Sequence, residues 1–333
     1  MIKKFCSENY NYVFNAENGY FARWGKTLED NPDYSPAGPE ILDLELSTIC
    51  HRSCSWCYKS NTKSGKNMSL ETFKIILDKF PKTLTQVALG IGDVDANPDL
   101  WGIMEYCRSK NVVPNITING ERMTPKYYDL LSYLCGAVAC SLYDKDTCYN
   151  AVNKLALRGM EQVNVHCLLS AETFQVCLDI LVDKIFGIDK RLEGLNAIVF
   201  LRLKQKGRGH NMHQVTNAQF KFLVDIALAN NTRIGFDSCS APHFLKAIES
   251  NKNYKQFEMM TEPCESCCFS YYINVDGIGF PCSFTEGVRS YSGVNILEAN
   301  NFIKEVWNHE ETLKFRNLLL NNHRSCPIYN LQR

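Results

Sequence analysis

Between residues 41 and 236 the chain alternates short strand-like runs with amphipathic runs of helical period, and this rhythm constrains the fold more than any other feature. Ile41-Leu42-Asp43-Leu44-Glu45-Leu46 alternates as a strand does. Ser69 is predicted to cap a helix reaching about Phe80, where Pro81 stops it. Further strands are expected at 86–90, 112–118, 137–142, 163–169, 195–203 and 233–236. Helices are expected at 98–110, from the Thr124-Pro125 cap to about Leu134, from a cap at Asp146 to Gly159, at 171–185, and from a Thr216/Gln219 capping box to Asn230. Six or seven such βα units predict an α/β fold, a partial (β/α)6 barrel of the TIM type, with a doubly wound sheet as the alternative.

Residues 1–40 read as a lead-in broken by Asn31-Pro32, Ser35-Pro36 and Gly38-Pro39, and residues 41–237 as the barrel. Residues 238–333 read as a small cysteine-rich domain. It contains a hairpin signal, Asp276-Gly277, between Tyr271-Tyr272-Ile273 and Ile278-Gly279-Phe280. In 333 residues, 45% hydrophobic content supports a sizeable core and excludes a disordered chain. Lys+Arg and Asp+Glu both number 36, a balance that speaks against a nucleic-acid partner. No apolar run is long enough for a membrane span and no secretory leader is read at the start, so a cytoplasmic protein is expected.

Sixteen cysteines need an account other than disulfides in a reducing compartment. Cys107, Cys135, Cys140, Cys148, Cys167 and Cys177 fall in periodic segments and are expected as small core residues. Cys50, Cys54 and Cys57 are different. They follow the first barrel strand directly, spaced CxxxCxxC. A structural zinc site takes four ligands, usually as paired CxxC units. A cubane iron–sulfur cluster takes one thiolate per iron, so three thiolates leave one iron open. Cys50 and its neighbour His51 are awkwardly placed to chelate one metal.

The triplet, its place after the first strand and Tyr58 behind it resemble the signature of the radical S-adenosylmethionine (SAM) superfamily. The resemblance implies a [4Fe–4S] cluster whose open iron binds SAM, and reductive cleavage of SAM to a 5′-deoxyadenosyl radical that takes hydrogen from the substrate. Gly90-Ile91-Gly92-Asp93, at the end of the second strand, resembles the family's glycine-rich SAM-binding motif, but with Ile between the glycines and Asp for Glu. Asn119, Ser141 and His166 lie at or near the carboxyl ends of the next strands, where barrel sites form. Tyr58, Gly90, Gly92, Asp93, Asn119, Ser141 and His166 are therefore candidate SAM contacts, with a core role for His166 as the competing reading. Arg202 and Lys204, nearest the barrel mouth in the basic loop 203–210, are candidates for an anionic group, against a solvated loop.

Twelve residues separate Cys264 from Gly277, and Cys282 follows after four more. This resembles the SPASM and twitch extensions of radical SAM enzymes, which carry auxiliary iron–sulfur clusters. One auxiliary [4Fe–4S] cluster is expected on Cys239, Cys264, Cys282 and Cys326, with Cys267 or Cys268 as possible replacements and structural zinc as the competitor. Such extensions are common among enzymes that modify peptides or proteins, so a peptidyl substrate is expected, alongside an electron donor such as flavodoxin or ferredoxin. A small molecule or nucleotide is the second reading, and a non-catalytic metal-binding module the third. The 40 residues before the barrel are too few for a peptide-recognition domain of about 90 residues. A separate recognition protein, or docking on the auxiliary domain, would then serve.

Overall fold

The computed structural model describes residues 2–328. The lead-in is structured. Strands β1 (Ile2–Phe5), β2 (Asn11–Asn15) and β3 (Phe21–Trp24) form an antiparallel meander in sequential order. Tyr10, Tyr12 and Phe14 alternate to one face and are buried. This meander packs under the amino-terminal ends of the barrel strands. Tyr12 Oη donates to Thr83 O at 2.8 Å, Lys3 Nζ to Leu84 O, and Gln162 Nε2 to Asn18 O at 3.3 Å.

The barrel follows as β4 (Ile41–Glu45), α1 (Leu70–Lys79), β5 (Gln86–Gly90), α2 (Leu100–Ser109), β6 (Val113–Ile118), α3 (Pro125–Leu134), β7 (Val138–Ser141), α4 (Lys145–Ala156), β8 (Val163–Leu169), α5 (Phe174–Ile185), β9 (Ala197–Arg202), α6 (Asn217–Ala229) and β10 (Ile234–Phe236). The seven strands pair in parallel in sequential order, which gives the partial barrel and removes the doubly wound alternative. The caps at Ser69, Thr124 and Thr216 form as read, each side chain accepting from a first-turn N–H. The cap of α4 is Asp144 and not Asp146. Asp144 is extended and accepts from Thr147 N at 2.8 Å, while Asp146 lies in the first turn.

Residues alternate along each barrel strand. Val163, Val165, Cys167 and Leu169 are buried, while Asn164, His166 and Leu168 face the other side and keep some exposure. Asp43, Glu45, Asn115, Thr117 and Ser141 occupy the same inner parity on their strands. Closed barrels fill this face with bulky apolar groups. Here it is polar, which suits a cavity. The six cysteines expected in the core are all buried, and Cys140 and Cys167 lie on the strand face opposite this cavity.

Beyond β10 come α7 (Ala241–Ala247) and α8 (Tyr254–Met260), then β11 (Ser270–Ile273), β12 (Ile278–Phe280) and β13 (Val294–Asn295), and finally α9 (Glu310–Asn321). The hairpin turns at Asp276-Gly277, with Gly277 at φ 77°. It is not a detached unit. Strand β11 pairs in parallel with β4, so one ten-stranded sheet runs from β10 through β4 to β13. The three helices lay outside the sequence expectation.

Candidate active site and second cysteine site

The segment between β4 and α1 carries Cys50, Cys54 and Cys57, all half-buried thiols. Bridges between Ser47 and Asn67 and between Ile49 and Thr62 pin its base. Cys50 N donates to Thr62 O at 2.7 Å and Cys57 N to Cys54 O at 3.2 Å. Ser53 adopts φ 45°, so the chain reverses between the first two cysteines. Gly92 lies against Cys50. A Cβ there would stand 2.4 Å from Cys50 Cβ and 2.9 Å from its Sγ, so only glycine fits. Gly90 has no such crowding.

Asp93 is fully buried and serves this loop. Its Oδ2 accepts from His51 N and lies 2.7 Å from His51 Nδ1, and its Oδ1 accepts from Asn119 Nδ2 at 2.7 Å. Burial alone would raise the Asp93 carboxyl, but the His51 N–H groups and the Asn119 amide hold it below the ordinary carboxylate range. Asp93 and Asn119 are thus tied to each other and to the cysteine loop, and Nδ1 of His51 is engaged. Ser141 and His166 are neighbours across β7 and β8. His166 Nδ1 sits 3.4 Å from Thr117 Oγ1, and burial pushes its imidazole down to about 4. It is neutral at physiological pH. The Tyr58 ring stacks on Phe284, centroids 4.8 Å apart, and burial pushes its phenol up.

Cys239, Cys264, Cys282 and Cys326 line one small cavity together with Lys204, Phe284, Phe315 and Ile328. Four separate segments supply these thiols. The Cys239 thiol is held well below its ordinary range by hydrogen bonds from Cys264 and Cys326, and Lys204 adds to this. Phe284 N donates to Cys282 Sγ at 3.4 Å, and burial pushes that thiol up to about 11. Cys267 and Cys268 are buried outside the lining of this cavity. Arg316 donates to Cys267 O at 2.6 Å, and Ser35 N to Cys268 O at 2.8 Å. Among the described residues, no group of His, Cys, Asp and Glu is arranged to hold a single metal ion.

The cations of the basic loop meet protein acceptors. Arg202 is buried, with Nη2 donating to Val215 O at 3.3 Å. Lys204 pairs with Asp237 in the wall of the second cysteine cavity. Arg208 donates from Nε to Cys54 O at 2.7 Å and from Nη2 to Asn61 O at 2.8 Å. Lys206 donates to Ser283 O at 2.9 Å and Glu286 O at 2.7 Å. These cations are spent on protein acceptors because the loop closes over the cysteine segments. Sequence reasoning also missed the group formed by buried Glu45 and Tyr272 with half-buried Lys59 and Glu286. Lys59 Nζ lies 3.1 Å from Glu45, donates to Tyr272 Oη at 2.7 Å, and pairs with Glu286. The signal available was a charged Lys59 behind the triplet and Glu45 at a strand end.

Residues 44–142, from β4 to just past β7, match the family model of the Radical SAM superfamily. That family implies a [4Fe–4S] cluster and SAM. Among individual relatives, mycofactocin maturase MftC of Mycobacterium tuberculosis (strain CDC 1551 / Oshkosh) is 26% identical over 150 residues, which cover 40% of this chain. The match spans 38% of that relative's length. Streptococcus suis SuiB bound to its precursor peptide SuiA shares the fold at a TM-score of 0.70 and 12% identity, covering 94% of this chain and 90% of that one. The structure of anSMEcpe with bound AdoMet and the Cp18Cys peptide shares it at 0.60 and 17% identity, covering 84% and 83%.

Proposed function

We propose that this chain is a radical SAM enzyme that modifies a peptide or protein, with Cys50, Cys54 and Cys57 holding the SAM-binding [4Fe–4S] cluster and Cys239, Cys264, Cys282 and Cys326 an auxiliary one. The observation that carries the reading is the pair of cysteine sites, one three-thiol and one four-thiol, flanking a polar barrel interior. When bound, the first cluster and SAM supply a 5′-deoxyadenosyl radical that removes a hydrogen atom. The donor sets fit. Three thiols on one short loop leave an iron open, and four thiols enclosed by Phe284, Phe315 and Ile328 suit a closed cluster. A cluster presents separate irons, so its thiolates need not converge on one point as zinc ligands do.

The chain's own residues supply position and exclusion of water. Asp93 and Arg208 fix the first loop, Gly92 gives Cys50 its room, and the inner strand residues Thr117, Ser141 and His166 offer neutral polar contacts to SAM or substrate. The peptide substrate rests on the likeness to MftC and SuiB, a maturase and a protein bound to a precursor peptide. Residues 1–40, 41–237 and 238–333 serve as base, radical SAM barrel and auxiliary domain. A cytoplasmic setting with flavodoxin or ferredoxin as electron donor fits a chain of sixteen cysteines, which a reducing compartment keeps as thiols. No helix among the described residues is long and apolar enough to cross a membrane.

The test is anaerobic reconstitution with iron and sulfide, then incubation with SAM and dithionite. The wild-type chain is expected to release 5′-deoxyadenosine, and Cys54→Ala to release none above background. Zinc in place of iron, or undiminished cleavage by Cys54→Ala, would defeat the reading.

A further inference from the structure

One short segment touches both cysteine sites. Between β9 and α6, every second residue from 204 to 208 is a cation, and each reaches a different place. Arg208 lies on the first site. Its guanidinium caps Cys54 O and Asn61 O, and its backbone N donates to Cys57 O at 3.0 Å. The contact is close enough to demand glycine beside it. Gly207 has φ 58°, and a Cβ there would stand 2.4 Å from Tyr58 O. At Gly209 a Cβ would stand 3.0 Å from Trp56 O. Lys206 caps Ser283 O and Glu286 O, just past Cys282. Lys204 lies in the second cavity's wall, paired with Asp237 and 4.9 Å from the Phe284 ring centroid. Phe284 closes the circuit, stacking on Tyr58 while its N–H meets Cys282 Sγ.

We propose that segment 204–208 is a strap coupling the two cysteine sites, in which Arg208 sets the shape of the first and Lys204 sets the local charge, and so the reduction potential, of the second. The inference rests on the two-cluster reading above. Both are positioning residues. A guanidinium that satisfies two loop carbonyls holds the loop in one geometry, which a lysine point charge cannot reproduce. An ammonium beside a buried cluster favours the reduced, more negative state, because the enclosed site screens it weakly.

The experiment uses the full reconstituted chain, with iron content and potentiometric electron paramagnetic resonance as readouts. Cys239→Ala fixes the baseline. It should lower iron by about four per chain, the content of one cubane. Unchanged iron would remove the second cluster, and the strap's redox role with it. With both clusters assembled, Lys204→Met is expected to move the second cluster's midpoint potential to more negative values and leave the first in place. The double variant Lys204→Met/Asp237→Asn guards against damage from an unpaired Asp237 and should show part of that shift. Arg208→Lys should broaden the first cluster's SAM-bound spectrum while the second keeps its own. Two intact clusters with an unmoved second potential in Lys204→Met, or an unaltered first spectrum in Arg208→Lys, would overturn the strap while leaving the enzyme reading intact.

Discussion

The two cysteine sites are built in opposite ways. The first lies on one loop, between β4 and α1, and its shape comes from nearby turns, a glycine neighbour and a borrowed arginine. The second is assembled from four places: the turn after β10, the approach to β11, the end of the hairpin and the stretch past α9. A local site survives in sequence as spacing. A distributed one exists only once the fold has closed. Exposure does not separate them, since Cys239, Cys282 and Cys326 are half-buried like Cys50, Cys54 and Cys57, and of the seven thiols Cys264 alone is buried; the lining does, because Phe284, Phe315 and Ile328 stand around the second site.

Gly92→Ala should break the comparison on the first side most severely. The new methyl group would occupy the space of Cys50, and neither the strand end nor the pinned loop can yield cheaply. Expected are loss of the first cluster and a fall in 5′-deoxyadenosine release of about 100-fold or more, with the second cluster's iron retained. Full cleavage activity would show that Cys50 does not sit where Gly92 needs it.

Cys264→Ala probes the other side. It should remove the second cluster's iron, about four atoms per chain, while uncoupled SAM cleavage stays within about threefold of wild type. Iron analysis and product chromatography on the same sample decide it. If cleavage falls with the iron, the two sites are one assembly and not two.

Much of this was readable beforehand, for physical reasons that differ by region. The barrel declares itself because each strand and helix carries its own period and its own cap, as at Ser69 and Thr216. The lead-in meander was legible in part. Tyr10, Tyr12 and Phe14 alternate, but the Pro-rich stretch after Trp24 masked the pattern. Helices α7 and α8 are seven residues each, too short for a periodic signal, and α8 buries no residue. The roles of Lys204, Lys206 and Arg208 left no trace in sequence. Their acceptors are mostly backbone carbonyls contributed by distant segments, and a carbonyl has no residue identity.

The meander packs under the amino-terminal ends of the barrel strands, so weakening it should lower stability without favouring either site. Tyr12→Ala removes a buried ring and the hydroxyl that holds Thr83 O. A loss of about 3–5 kcal/mol is expected, read as a lower denaturation midpoint with an unchanged slope. Iron content of the remaining folded chain should hold at both sites. Selective loss at one would mean that the meander supports that site alone.

The smallest effect belongs to Asp43, which stands between the two sites. It lies on β4, paired with Ala88 and Tyr272 on its neighbours, and its charge is felt by both Tyr58 and Cys282. Among the described residues its carboxylate has no hydrogen-bond or ion-pair partner, whereas Glu45, two residues on, is held by Lys59. Water reaches Asp43, yet the surrounding barrel wall desolvates it and pushes its carboxyl up to about 6. The folded value lies above the unfolded one, so the contribution to stability is complete at acid pH and is lost as pH rises through about 6. Asp43→Asn removes that loss. Its melting temperature should match wild type near pH 4 and exceed it at pH 8, by a few degrees at most. The opposite order would mean that Asp43 finds a cationic partner in the folded barrel, and would move it from the cavity wall into the charged group around Lys59.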